Sequence, residues 1–391
     1  MVVSMSITVK SYVHYFFKNP AYVDVPYFYN YHGNGSMNKK TLCIFSPAFP
    51  NDDEPSWLTP VQVLITALNN AFPELKIVIF SFQYPPASDT YLWHGNQVIP
   101  FNMAGKSKLS KPFTWMKIFY TFYRIKRKEP VLGILSFWCS ECTFIAAYCQ
   151  KLLNIRYYCW LFGQDAKKGN KYVKRVKPKE GSLIALSDFL QEEFHRNYGI
   201  KPRYVIPKGI EPEFFDKEPV TRDIDILCTG SLIALKRYDI AIEVIDALVK
   251  HFPELKAELC GEGVQKINLT NLVIEKGLKA NILLHGLVPH RKTLKLMRKA
   301  KILLHPSSYE GFGFACLEAL YAGAHVISFC KPMKQDIPQW HIVKTKEEML
   351  ATALAILSDK TTTYESVLPY TGHETAMAVM QLFDYPTANK T

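Results

Sequence analysis

The stretch HPSSYEGFGFACLEALYAGAHVISF, residues 305–329, decides the fold class. It opens on the end of the apolar run KILLH and closes on AHVISF, two segments short and apolar enough for buried parallel strands. Between them PSSYEGFG has the composition of a turn, and Phe314, Leu317 and Leu320 recur at helical spacing until Gly323 closes the helix. Strand, turn, helix and strand in this order form one βαβ unit.

The same alternation extends in both directions. Upstream, IDILCTG, KAELCGEG and NILLHG read as strands, with RYDIAIEVIDALVKHF and HRKTLKLMRKA as helices between them and KILLHP. Earlier still, TLCIFS, LKIVIFSF, VLGILSF, YYCWLF, SLIALS and RYVIP read as strands of another sheet. WLTPVQVLITALNNAF, FTWMKIFYTFYRIKRK, ECTFIAAYCQKLL and DFLQEEFHRNYG are its helices. PKGIEPEFFDKEPVTRD, rich in proline and charge, reads as the linker between two doubly wound α/β domains. The first 36 residues are tyrosine-rich and loop-like, with Met37 a normal start for the strand pattern, and HETAMAVMQLFD reads as a terminal helix.

Composition agrees with two folded domains. The 391 residues are 48% hydrophobic, 13% aromatic and 21% charged, too long for one core at about 150 residues per domain. Nine cysteines lie scattered through strand-like and helix-like segments, as expected of reduced thiols rather than a disulfide framework. Cys139 and Cys142 form a C-x-x-C without a second ligand pair, which argues against zinc. VLGILSFWCSECTFIAAYCQ reaches spanning length only with Glu141 in lipid, so it reads as strand, turn and helix. The N-terminus lacks an apolar leader core, and a cytoplasmic location is the expectation.

The net charge of +12 is concentrated in two segments, residues 106–128 and 167–179. These suit an anionic membrane surface or an anionic substrate as well as a plain solvated face. No nucleic-acid module is recognisable, so nucleic acid is not an expected partner.

In the opening stretch Glu310 falls in the turn and Glu318 just over one turn into the helix. Helical side chains lean toward the N-terminus, so both carboxylates can face one space. The free N–H groups of the first helical turn favour an electron-rich group such as a phosphate there. Gly311 and Gly313 remove Cβ atoms where a ligand would approach the backbone. Each carboxylate accepts hydrogen bonds from neighbouring hydroxyls, as a sugar or ribose presents. The plain reading, a loop glutamate and a surface glutamate, stands beside this one.

Glu310 and Glu318 with the intervening GFG and the following EALYAGAHVI resemble the E-x7-E pattern of retaining glycosyltransferases of family 4, the glycosyl transferases group 1, with His325 where proline is usual. TGSLIALKRYDIAIEVI, AELCGEGV, NILLHGLVPHRKTLKLMRKAKILLHP and IALSDFLQEEFHRNYGIKPRYVIPKGIEPEFF are similar to further blocks of that family in the same order, covering roughly residues 182–330. The resemblance implies a GT-B fold, two Rossmann-like domains facing across a cleft. It divides the chain into an extension (1–36), an acceptor domain (37–208), a nucleotide-sugar donor domain (209–372) and a terminal helix (373–391) packing back on the first domain.

It implies a retaining hexosyltransferase acting on a nucleotide-diphosphate sugar, with a glycan or lipid-linked acceptor in cell-surface polysaccharide or glycolipid synthesis, peripheral to the cytoplasmic membrane face. Lys236 matches the lysine of the diphosphate, in the loop that also holds Gly230. The usual accompanying arginine is Ser231, with Arg237 beside Lys236 as a substitute. Glu318 is implied on the ribose. Glu310 and the amides of Gly311, Phe312, Gly313 and Phe314 are implied on the transferred sugar, with Lys236 and Glu310 as the catalytic pair. Where the family carries histidine-glycine, LFGQDA offers Gln164 and Asp165 to donor or acceptor. Asp223 and Asp225 have metal-binding D-x-D spacing, but stand at the start of a strand, away from the end where ligands bind, so neither metal nor other cofactor is expected. A catalytically silent relative and a GT-B epimerase or phosphorylase are the alternatives.

Overall fold

The computed structural model describes residues 39–50, 59–86, 89–107, 109–216 and 218–386. The expected extension over residues 1–36 lies outside the described residues. Eight strands form the first sheet: β1 (Thr41–Ala48), β2 (Lys76–Tyr84), β3 (Tyr91–Trp93), β4 (Asn96–Pro100), β5 (Val131–Phe137), β6 (Tyr157–Leu161), β7 (Leu183–Ala185) and β8 (Tyr204–Val205). Their spatial order is β3-β4-β2-β1-β5-β6-β7-β8, and all neighbours run parallel except β3 and β4. Strands covered on both faces must be apolar throughout, and Leu42 through Phe45 and Ile77 through Phe80 are buried without alternation.

The second sheet holds β9 (Ile224–Thr229), β10 (Ala257–Cys260), β11 (Ile282–Gly286), β12 (Ala300–His305), β13 (His325–Ser328) and β14 (Trp340–Ile342), in the order β11-β10-β9-β12-β13-β14, all parallel. β9 and β12 lie at its centre, so the loops leaving their C-terminal ends meet where an open α/β sheet binds ligands. His325, where the family has proline, reaches His341 (Nδ1 to Nε2, 3.0 Å) and the Thr363 carbonyl (2.9 Å) with its two ring nitrogens.

Several elements escaped the sequence reading, the edge strand β14 among them. The β3–β4 hairpin is too short for a periodic signal. Helix Lys171–Val176 lies inside a basic run, capped by Asn170 accepting from the Tyr172 amide. Helix Lys266–Glu275 carries a weak apolar stripe, with Leu269 and Val273 buried, and helix Lys346–Ser358 begins on Thr345 accepting from the Glu348 amide.

The chain passes between the domains twice. The first crossing runs through Ile206–Phe215. There Gly209 and Ile210 pair with the residues before the last helix: the Ile210 amide donates to the Tyr370 carbonyl (2.9 Å) and the Gly372 amide to the Ile210 carbonyl (3.1 Å). A Cβ on Gly209 would stand 2.0 Å from the Thr371 carbonyl carbon, so only glycine permits this approach. The second crossing is helix Gly372–Leu382, opened by a capping box of Thr371 and Glu374. It packs on helix Thr59–Ala71 of the first domain, and Phe383 and Asp384 beyond it meet the Tyr158 ring and the Arg156 guanidinium (2.6 Å).

Candidate functional site

The loop after β12 carries Glu310, and the helix Phe314–Tyr321 begins after Gly313, whose φ of +90° makes the turn. On the other side, the loop after β9 ends in the single turn Ala234–Lys236. The two loops bring Lys236 onto Glu310: the ammonium donates to Oε1, and His305 Nε2 donates to the same oxygen at 2.9 Å. Burial of Glu310 raises its pKa, but the hydrogen bond and charge of His305 and the charge of Lys236 outweigh burial and bring it down to about 2. His305 is itself buried, which lowers its pKa.

Glu318, one turn further on, turns to different partners. Its Oε1 lies 2.9 Å from His290 Nε2, at the start of helix His290–Lys299. Lys208, from the first crossing, is buried and places its ammonium 4.6 Å from the ring centroid of Phe314. Lys208, Glu211, His290 and Glu318 line one recess between the domains. Neither Lys208 nor His290 was singled out from the sequence. Lys208 lies inside a segment read as linker, and His290 opens an amphipathic helix with nothing to mark it.

Several residues have other work than the sequence suggested. The space a Cβ of Gly311 would need is taken by the Phe162 carbonyl oxygen, 2.1 Å from that position. Ser187 Oγ donates to the Gly311 carbonyl (2.6 Å) and Tyr309 Oη to that of Gly163 (2.9 Å). The lack of a Cβ at Gly311 therefore serves contact between the two domains. Gly313 serves the turn. Phe312 points into the core and stacks on Phe314 at 6.2 Å, so only its backbone can face the cleft.

Asp165 is engaged by the backbone. Its buried carboxylate accepts from the amides of Cys139 (2.9 Å), Phe162 (3.1 Å) and Gly163 (2.8 Å), which shapes the LFGQDA turn; Gln164 is exposed. Arg237, at φ +50°, turns its guanidinium to Asp239 (3.1 Å) in solvent. Ser231 is exposed. Gly230 adopts φ +138°, and a Cβ there would stand 2.9 Å from the Tyr238 hydroxyl. Asp225 is held by Lys301 (2.7 Å) and Asp223 lies 3.7 Å from Lys299.

Among the described residues no group of three histidines, cysteines or carboxylates is arranged for a metal ion, and no helix is long and apolar enough to cross a membrane. In the basic segment 106–128, Phe113 is 64% exposed and Leu109 just before the helix 85%, beside exposed Lys117, Lys126, Arg127 and Lys128.

Comparison with known proteins bears on the family and the fold. Residues 210–361, less than half of the chain, match the family described as "Glycosyl transferases group 1". The poly(ribitol-phosphate) alpha-N-acetylglucosaminyltransferase of Staphylococcus aureus is 25% identical over 167 residues, 42% of this chain and 32% of that protein. The chain spans about a third of the length of the curated relatives it matches. A glycosyltransferase from Rickettsia africae superposes with a TM-score of 0.64 at 16% identity, over 89% of this chain and 94% of that one. Sucrose-phosphate synthase from Thermosynechococcus elongatus superposes at 0.61 and 16%, over 88% and 96%. The architecture is GT-B, and residues 210–361 are similar to the glycosyl transferases group 1 family.

Proposed function

We propose that the protein is a retaining glycosyltransferase that moves a hexose from a nucleotide-diphosphate sugar to a glycan or lipid-linked acceptor. One observation carries this reading: Glu310 and Glu318 stand on either side of one helix start, and Glu310 is joined to Lys236 from the neighbouring central strand. In the proposed complex Glu318 accepts from the ribose hydroxyls. Glu310 and the amides of Phe312, Gly313 and Phe314 hold the sugar, and Lys236 meets the diphosphate in the loop of Gly230 and Ser231. Lys236 must then exchange Glu310 for a phosphate oxygen, while Glu310 keeps His305 as its donor.

Charge develops on the leaving diphosphate and on the anomeric carbon together, so a preorganised cation and carboxylate stabilise both ends of the breaking bond. On a front-face route the bond from the anomeric carbon to the diphosphate oxygen breaks, the acceptor oxygen bonds on the same face, and the acceptor's proton passes to the leaving phosphate. No metal or other cofactor enters this scheme, since Asp223 and Asp225 face lysines. The N-acetylglucosaminyltransferases among its relatives make UDP-N-acetylglucosamine the first donor to try.

The same reading puts an acceptor at an anionic cytoplasmic membrane surface, met by segments 106–128 and 167–179. Flotation with vesicles containing anionic lipid tests it, and absence of binding to them ends it. A catalytically silent GT-B protein is the second reading, favoured by Ser231, which supplies no cation where the family has one. Nucleotide release from a panel of nucleotide sugars, compared between the wild type, Glu310→Ala and Lys236→Ala, separates the two. Release that both substitutions reduce at least about a hundredfold supports the enzyme. No release with any donor supports the silent reading, and release that both variants retain refutes the site.

A further inference from the structure

Lys208 is 3% exposed and, among the described residues, has neither an ion pair nor a hydrogen bond. Its ammonium lies 4.6 Å from the ring centroid of Phe314, the first residue of the helix that carries Glu318. A buried lysine without a counter-ion is costly, and burial pushes its pKa down to about 8 despite the charges of Glu318 and Glu211. Glu211, in the same recess, does little to neutralise it: burial and Glu213 raise its carboxyl to about 7, and its Oε1 has no partner. The other walls are largely apolar, with Val63, Ile210, Phe214 and Phe215. Packing alone would be served as well by a methionine.

The recess has the cation on one side and the Glu318–His290 pair on another. We propose that Lys208 binds a phosphate of the nucleotide, as the second cation that Ser231 does not supply. The inference rests on the reading of this cleft as a nucleotide-sugar site. Lys236 stands at the Glu310 end of the helix start and Lys208 at the Glu318 end. A diphosphate that joins a ribose on Glu318 to a sugar on Glu310 passes both, with the free amides of the first helical turn between them.

The test uses the full chain and calorimetric titration with UDP, GDP, ADP, CDP and dTDP, and then with the nucleoside of whichever diphosphate binds. Lys208→Met is expected to bind that diphosphate 10- to 100-fold more weakly, to bind the nucleoside as the wild type does, and to melt at the same or a higher temperature. Lys208→Gln, of similar length but neutral, is expected to show the same split. Diphosphate affinity unchanged in both variants overturns the role of Lys208 and leaves the site standing. Equal weakening of diphosphate and nucleoside, or a lowered melting temperature with both lost, overturns it by showing that the ammonium supports the fold. Failure of all five diphosphates to bind the wild type overturns the nucleotide-sugar reading itself.

Discussion

His305 Nε2 lies 2.9 Å from Glu310 Oε1, and the Lys236 ammonium shares the same oxygen. Glu310 is therefore ionised in the folded protein down to about pH 2, against an ordinary value of 4.5. A carboxyl whose folded pKa is depressed contributes stability that is complete above its unfolded value and is lost as pH falls through the folded one. The shift corresponds to about 3 kcal/mol. Glu310→Gln is expected to lower unfolding free energy by about that amount at pH 7, with the difference shrinking between pH 4.5 and pH 2. Urea denaturation of both proteins across that range checks it.

Glu211 behaves in the opposite sense. Burial and the neighbouring Glu213 raise its pKa to about 7, so its contribution is a cost that grows as pH rises from 4.5 through 7. Glu211→Gln is expected to raise the melting temperature at pH 8 and to leave it unchanged at pH 4.5. Equal shifts at both values would contradict this.

The closeness of Gly311 to the first domain can be tested with two alanines. Gly311→Ala drives a methyl group into the Phe162 carbonyl and is expected to cost about 2 kcal/mol by overpacking. Gly181→Ala meets nothing within 4 Å and is expected to be neutral or stabilising by about 0.5 kcal/mol. Thermal melts of the two side by side distinguish a specific approach from a general sensitivity to glycine loss.

Asp225 spends both oxygens, one on Lys301 (2.7 Å) and one on the Lys256 amide (2.9 Å). Asp225→Asn is expected to lower stability by about 1 kcal/mol while nucleotide release, in chelator as without it, stays at the wild-type level. A loss of release with EDTA would count against a metal-free site.

The parallel sheets were legible because strands buried on both faces must be apolar along their whole length, as in KILLH and KIVIF. The helix start at Gly313 was legible because a turn, two glycines and helical spacing coincide there. What stayed hidden depends on contacts between residues far apart in the chain. That Phe162 fills the space beside Gly311, that Asp165 gathers three amides and that Glu318 meets His290 follow from how the domains and loops pack, and spacing carries no trace of them. Lys208 was hidden for the reverse reason: a lysine in a charged, proline-rich segment reads as solvated until its burial is known.

The two passages of the chain between the domains, strapped together at Ile210 and Gly372, lie side by side rather than end to end. Neither passage can bend at that point without carrying the other, so any displacement of one domain against the other must deform both at once. Tyr309 and Gly311 meet Phe162 and Gly163 across the cleft, whereas the recess of Lys208 is built from the first passage itself.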